Sequence, residues 1–331
     1  MRYRPPYKLT SAMIGLVAEI GERLGASSVS GSSAAPRLRK ENRIRTIQAT
    51  LEIEQNTLSL EQVTAILEGR RVKGSAREIR EVKNAFAAYE RLTSWNPSNR
   101  KDLLQAHALL MDGLVERPGK FRTGGVGVVQ GGRVVHMAPP AARVPALVDD
   151  LLAWCGSTDE HPLVASCVFH YEFEFIHPFA DGNGRLGRLW QTLILSRWKP
   201  VFLEIPLESV VRDHQADYYR ALGESDKAGD CSGFVLFMLE ALRETLDVTP
   251  QVTPQVTPQV AKLLQAIGTS ERLRSELQER LGLSDRKSFR ELYLAPALDA
   301  GMIEFTIPSK PNSRLQAYRL TEAGKAALGG D

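Results

Sequence analysis

His177-Pro178-Phe179-Ala180-Asp181-Gly182-Asn183-Gly184-Arg185-Leu186-Gly187-Arg188 is the stretch whose reading organises the rest of the chain. Two glycines flanking an asparagine let the backbone enter left-handed conformations without a Cβ clash. Successive N–H groups can then face one concavity and make an anion nest. A helix expected to begin beyond these glycines and to run to about Arg197 aims its positive end at the same place, with Leu186, Leu189, Trp190, Leu193 and Leu195 available for the core. Arg185 and Arg188 are three apart, so both fall on one face near that end. Two guanidinium forks beside a nest suit a polyphosphate. Asp181 is a hard oxygen ligand, and one carboxylate completed by phosphate oxygens and water is a usual magnesium arrangement. An imidazole ordinarily titrates near neutral pH, so His177, four residues earlier, can take a proton from an attacking hydroxyl. A bare Gly-Asn-Gly would be only a turn before a helix; the histidine, the acid and both arginines at this spacing point to phosphate chemistry.

Outward from the motif the pattern is mainly helical. Helices are expected over Val144–Trp154 and Leu163–Phe175, and residues 8–116 are mostly helical too. Leu9, Met13, Ile14, Leu16, Val17 and Ile20 recur at roughly helical spacing, as do Leu58, Leu60, Val63, Ile66 and Leu67. The small polar run Ala26-Ser27-Ser28-Val29-Ser30-Gly31-Ser32-Ser33 between them reads as a mobile loop. Phe121 to Met137 alternates glycines with Val126, Val128, Val129, Val134 and Val135, which predicts a hairpin turning near Gly131-Gly132.

Residues 248–259 repeat Val-Thr-Pro-Gln three times. Proline at every fourth position is incompatible with a helix, so the repeats read as a tether spanning roughly 35 Å at about 3.1 Å per residue. Beyond it, helical spacing over Val260–Ile267 and Leu273–Leu281 is closed by Gly282. Ser284 is the expected N-cap of a helix over Asp285–Ala300. Strands at Met302–Ile307 and Leu315–Leu320, joined by residues 308–314, complete a winged helix-turn-helix plan. Arg286, Lys287 and Arg290 on its recognition helix, with Lys310 and Arg314 in the wing, could meet DNA phosphates. Glu276, Glu279, Asp285 and Glu291 favour a protein partner equally.

The chain has 331 residues, room for two or three domains, with 43% hydrophobic and 24% charged residues. A formal net charge of +3 does not by itself point to nucleic acid or membrane. Residues 1–7 carry no apolar run, so a signal peptide is not expected. No apolar stretch approaches membrane-spanning length, so no membrane partner is expected either. Cys155, Cys167 and Cys231 form no CxxC pair, which predicts free thiols in a reducing cytoplasm. His107, His136, His161, His170 and His214 lack metal-ligand spacing and are read as structural or exposed.

The string 177–188 resembles the Fic family motif, HxFx(D/E)GNGRxxR, at every defined position. Pro118-Gly119-Lys120-Phe121-Arg122 and Tyr171-Glu172-Phe173-Glu174-Phe175-Ile176 resemble its surroundings. The resemblance covers residues 8–245 or so, and the tether with its winged module resembles an appendage of some members. It implies a mainly α fold: a Fic-type helical core with a β-hairpin flap, plus a small C-terminal winged-helix domain. The expected divisions are an N-terminal helical region at 1–110, a catalytic core at 111–247, the linker at 248–259 and the winged domain at 260–331. The implied activity is transfer of AMP from ATP, with Mg2+, to a Tyr, Thr or Ser hydroxyl of a target protein, with AMP removal as a second activity of the same site. By position, His177 is the general base and Asp181 the magnesium ligand. Gly182, Asn183 and Gly184 cradle the phosphates, followed by Leu186 and Gly187 in the same binding segment. Arg185 reaches the phosphates and Arg188 pairs with the γ-phosphate. The hairpin 121–137 is the flap that holds the target segment by strand addition. Tyr218, Tyr219 and Leu222 resemble the adenine-pocket segment, although core packing explains them equally.

Thr50-Leu51-Glu52-Ile53-Glu54-Gln55-Asn56 resembles the family's inhibitory motif, (S/T)xxxE(G/N), with Glu54 as the inhibitory glutamate that engages Arg188. Gln55 departs from the pattern, and Asn56 follows one position late. Two other functions fit the sequence: transfer of a different nucleotide or phosphate-containing group, and an ATP-sensing DNA-binding regulator. A homodimer is compatible with all three.

Overall fold

The computed structural model describes residues 3–29, 36–130, 133–248, 258–268, 270–283, 285–308, 310, 313 and 315–328. The chain is mainly helical and divides into two compact units, one formed by residues 1–21 and 41–249, the other by residues 22–40 and 250–331. The divisions between them fall inside α1 (Ser11–Val29) and α2 (Pro36–Ile53). Helix α1 therefore runs into the run read as a loop: Ala26 to Val29 are helical, and residues 30–35 lie outside the described residues. Small residues do not oppose a helix once its apolar stripe, Met13, Leu16, Ile20 and Leu24, is buried.

In the first unit α3 (Leu60–Leu67) and α4 (Ala76–Arg91) each begin with a capping box, Ser59 with Gln62 and Ser75 with Glu78. Then come α5 (Arg100–Leu110), the antiparallel strands β1 (Gly127–Gln130) and β2 (Arg133–Met137), and α6 (Val144–Cys155). The hairpin is shorter than its glycine and valine pattern suggests, with no strand before Gly127, and its turn at Gly131-Gly132 lies outside the described residues. At the centre α7 (Pro162–Ile176) packs on α8 (Asn183–Trp198). Almost every side chain of both is buried, the pattern of helices enclosed on all sides. Around them lie α9 (Leu207–Asp213), α10 (Gln215–Ala228) and α11 (Ser232–Val248). No helix among the described residues is long and apolar enough to cross a membrane.

In the second unit α12 (Pro258–Ile267), β3 (Arg272–Leu273) and α13 (Arg274–Arg280) precede a helical run through Arg286–Phe289, Arg290–Leu294 and Ala295–Asp299. The middle of that run widens to a π turn, with Ala295 N–H donating to Arg290 O. Pro296 has no N–H to give the preceding turn, and its ring crowds the carbonyl four residues back. Gly282 (φ +65°) closes α13 as expected. The N-cap of the next helix is Asp285, whose carboxylate accepts from the N–H groups of Lys287 and Ser288. Ser284, the expected cap, lies outside the described residues. The wing strands β4 (Ile303–Phe305) and β5 (Ala317–Leu320) are joined by β3 in the order β3-β5-β4, all antiparallel, and a last helix (Glu322–Leu328) follows. Much of the tether, residues 249–257, and Ser309, Pro311, Asn312 and Arg314 of the wing loop lie outside the described residues.

Candidate active site

The motif occupies the joint between α7 and α8. Helix α7 stops at His177 because that residue is left-handed (φ +46°, ψ +62°) and Pro178 cannot continue the ladder. The His177 Nδ1 lies 3.3 Å from the Glu174 carbonyl oxygen. A carbonyl only accepts, so Nδ1 carries the proton and Nε2 carries the lone pair. The chain around His177 is pinned by Arg122, a buried side chain with four carbonyl partners. Its Nε donates to His177 O at 2.7 Å, and its terminal nitrogens donate to Gly124, Pro139 and Ile176 carbonyls. One guanidinium thus ties the base of the flap to the histidine turn.

Phe179 is fully buried and stacks on His107, ring centroids 3.6 Å apart. Gly119 N–H donates to His107 Nδ1, so Nε2 holds the proton and donates to the Asp181 carbonyl at 3.0 Å. Burial pushes the His107 pKa down to about 4, which keeps this ring neutral. The Asn183 amide is committed to the same loop, Nδ2 donating to Phe179 O and Oδ1 accepting from Phe179 N–H.

Helix α8 begins at Asn183, between the glycines rather than beyond them. Only Gly182 is left-handed (φ +85°), and a Cβ there would lie 2.5 Å from the Met111 sulfur. Gly184 and Gly187 are helical, and what they supply is space. A Cβ on Gly184 would collide with Glu54 Oε1, and one on Gly187 would lie 2.9 Å from Glu174 Oε1. Glu174 Oε1 is buried with no hydrogen-bond partner. Burial, opposed by Arg188 and reinforced by Glu54, raises its carboxyl to about 8.

The two arginines have different neighbours. Arg188, 3% exposed, donates from Nε to Thr50 Oγ1 (2.9 Å) and from one terminal nitrogen to Thr50 O (3.1 Å) and Glu54 Oε1 (2.7 Å). Burial opposes its charge, but the Glu54 carboxylate together with Tyr218 and Tyr219 more than offsets this and raises its pKa. Arg185, 4% exposed, donates to Glu81 Oε1 at 3.2 Å and to Asp181 Oδ1 at 3.0 Å. Glu81 in turn accepts from Asn56 Nδ2 at 2.8 Å. Asp181 remains 40% exposed. No group of three or more His, Cys, Asp or Glu among the described residues could hold a metal alone. The donor set at Asp181 is therefore one hard carboxylate, which fits a magnesium ion completed by nucleotide oxygens and water.

Glu54 reaches Arg188 because α2 ends one residue earlier. Gln55 is left-handed (φ +68°), its N–H donates to Glu52 O, and Asn56 N–H donates to Leu51 O. Those two bonds make a Schellman turn with glutamine where glycine is preferred.

Tyr218 is buried among Phe234, Phe237 and His170, and its hydroxyl bonds His170 Nε2 at 3.1 Å. Tyr219 and Leu222 are half-buried, Tyr219 within electrostatic reach of Glu54 and Arg188. Among the other histidines, His161 caps α7 and His214 faces Glu244; the His136 side chain lies outside the described residues. Arg77, Glu81 and Arg122 are what motif reading missed, whereas His107, read as structural or exposed, is structural. Only Arg122 carried a signal, in the quoted 118–122 segment.

The family description "Fic/DOC family" matches residues 97–195, and "Filamentation induced by cAMP protein Fic-like, C-terminal domain" matches residues 258–321. A solved structure of a Fic family protein from Desulfovibrio desulfuricans G20 is 56% identical, covering 97% of this chain and 99% of that one with a TM-score of 0.73. Fic-1 from C. elegans is 25% identical over 71% of each chain, with a TM-score of 0.57. Protein adenylyltransferase Fic of Aedes aegypti is 34% identical over 242 residues, 69% of this chain and 46% of that protein. The chain thus spans about half the length of the curated relatives that it matches.

Proposed function

This chain belongs to the Fic family, and from that premise we propose that it is a protein adenylyltransferase, moving AMP from ATP to a Tyr, Thr or Ser hydroxyl of a target protein. The observation that carries the reading is the placement of His177 on the turn between α7 and α8, with Nδ1 3.3 Å from the Glu174 carbonyl oxygen, a contact that assigns the proton to Nδ1 and the base role to Nε2. That turn leads into Asp181, Arg185 and Arg188. The target hydroxyl oxygen attacks the α-phosphorus and its proton passes to His177 Nε2. The α–β phosphoanhydride bond breaks and pyrophosphate leaves. Arg188, and Arg185 behind Asp181, offset charge on the phosphates, while the N-terminal end of α8 offers backbone donors at Gly184. Bound through Asp181, Mg2+ would supply charge neutralisation at the phosphate oxygens. A target segment lies against the flap 121–137. Tyr219 and Leu222 remain the adenine-side residues, whereas burial of Tyr218 favours a packing role.

Glu54 is the brake in this reading, because it takes the guanidinium that the γ-phosphate needs. Residues 1–110 carry the brake, 111–248 the chemistry, and 249–257 tether a winged domain that begins with α12 at Pro258. The test is transfer of label from α-labelled ATP in host lysate. The Glu54→Gly protein should label itself or a target strongly, and Glu54→Gly/His177→Ala should label nothing while still binding ATP. Labelling that survives loss of His177 would remove it as the base. Hydrolytic removal of AMP is a second activity these ligands could serve, checked by release of AMP from purified modified protein.

The winged domain has its own reading as a DNA-phosphate contact, favoured by the exposure of Arg286, Lys287 and Arg290 on one helix with Lys310 in the wing. Duplex binding with a steep salt dependence would support it. Binding of protein but no duplex would assign the surface to a protein partner.

A further inference from the structure

Helix α4 brings a third arginine to the motif, one that neither the motif nor the inhibitory segment accounts for. Arg77 Nη2 lies 3.2 Å from Asp181 Oδ2, and its Nε lies 3.4 Å from Glu81 Oε1. Three donors then reach the Asp181 carboxylate, and Arg77 is the one on Oδ2. Oδ1 accepts from Gly182 N–H at 2.6 Å and from Arg185 at 3.0 Å, and Oδ2 accepts from Arg77. The two guanidinium groups differ in freedom. Arg185 is buried and anchored to Glu81, so it holds its place. Arg77 is 55% exposed, and its other hydrogen bond, to Leu114 O, is long at 3.3 Å. A divalent cation and a guanidinium cannot share one oxygen lone pair, and they repel each other at that distance.

We propose that Arg77 competes with the divalent cation for the Asp181 carboxylate and must swing aside for the magnesium nucleotide to bind. The inference rests on the reading of Asp181 as the cation ligand. Glu81 makes the movement tolerable, because it stays beside both arginines and continues to neutralise Arg77 after the Asp181 contact breaks. The contact is a half-exposed ion pair and therefore weak, so it tunes the cation requirement rather than abolishing binding.

The experiment is a Mn2+ titration followed by electron paramagnetic resonance, with the protein saturated by α,β-methylene ATP so that no transfer occurs. Arg77→Met keeps the apolar stem and removes the charge; it should bind Mn2+ three- to tenfold more tightly than wild type. Arg77→Lys, which keeps the charge, should stay within about twofold of wild type. Asp181→Asn should lose Mn2+ binding. Equal or weaker binding by Arg77→Met, with Asp181→Asn still defective, overturns the competition and makes Arg77 a bystander or a nucleotide ligand. Undiminished binding by Asp181→Asn overturns the ligand reading itself, and the proposal with it. AMP transfer by the Glu54→Gly protein then reports separately on the proposed function.

Discussion

Gln55→Gly should tighten the brake. The native glutamine carries a Cβ in the left-handed region at φ +68°, where an L residue pays roughly 1–2 kcal/mol. The backbone is held there by Gln55 N–H to Glu52 O at 2.9 Å and Asn56 N–H to Leu51 O at 3.0 Å. That turn is what delivers Glu54 Oε1 to Arg188 at 2.7 Å. When the segment undocks, nothing requires the left-handed conformation, so the strain burdens only the docked state. Glycine removes it but is freer in the undocked chain, which returns about 0.4–1 kcal/mol. The net gain for docking is up to about 1.6 kcal/mol and centres on about 0.8 kcal/mol, about a fourfold fall in the undocked fraction by RT ln K. Initial rates of self-modification at saturating magnesium and ATP should fall by that factor. In a Glu54→Gly background the same change should leave the rate unaltered, because the turn no longer delivers a carboxylate. A Gln55→Gly rate equal to or above wild type, in the presence of Glu54, would refute the reasoning and detach the turn from regulation.

Arg188→Ala should lower AMP transfer at least tenfold, and Glu54→Gly/Arg188→Ala should match it in initial-rate assays, because in the proposed brake the γ-phosphate and Glu54, which accepts from Arg188, compete for one guanidinium; additive effects would separate the two residues. Acid should loosen the motif loop through His107. Its folded pKa is depressed to about 4 by burial, so its contribution is whole above the unfolded value near 6.5 and is lost as pH falls towards 4. That amounts to a few kcal/mol at most, from about 1.4 kcal/mol per pKa unit. Urea unfolding at stepped pH should show wild type losing this stability between pH 6.5 and 4, and His107→Gln losing less. Parallel losses in both proteins would assign the acid sensitivity to other groups.

The twelve motif residues were legible because their chemistry is contiguous: a histidine, an acid, two arginines and glycines within one helix entry. Their supports were not. Arg122 donates to His177 O across 55 positions, and Arg185 reaches Glu81 across 104. Periodicity reports which face of an element is buried, but not which distant carboxylate or carbonyl meets it. The enclosed helices α7 and α8 show little amphipathic period, so length and flanking prolines and glycines had to identify them. Strand β3 has two residues, too few for any alternation. Ser284 and Asp285 are both good cap formers, and only the two backbone donors gathered by Asp285 distinguish them.

One glycine of the motif acts through space rather than through backbone freedom. Gly184 was expected to give conformational freedom; it is helical and gives room, and the room is filled by the Glu54 carboxylate. A concavity that sequence marks for a phosphate thus contains an anion from the chain itself, hydrogen-bonded to the arginine assigned to the γ-phosphate. The features that suit the site to phosphate (a helix N-terminus, a missing Cβ and a buried guanidinium) suit it equally to a carboxylate. A brake of this kind needs no surface of its own. It needs only a turn that places one glutamate, and here that turn carries a strained glutamine, with Asn56 beside it bound to Glu81. In the proposed brake, the strength of inhibition would therefore be set at Gln55 without altering any residue proposed to meet the nucleotide.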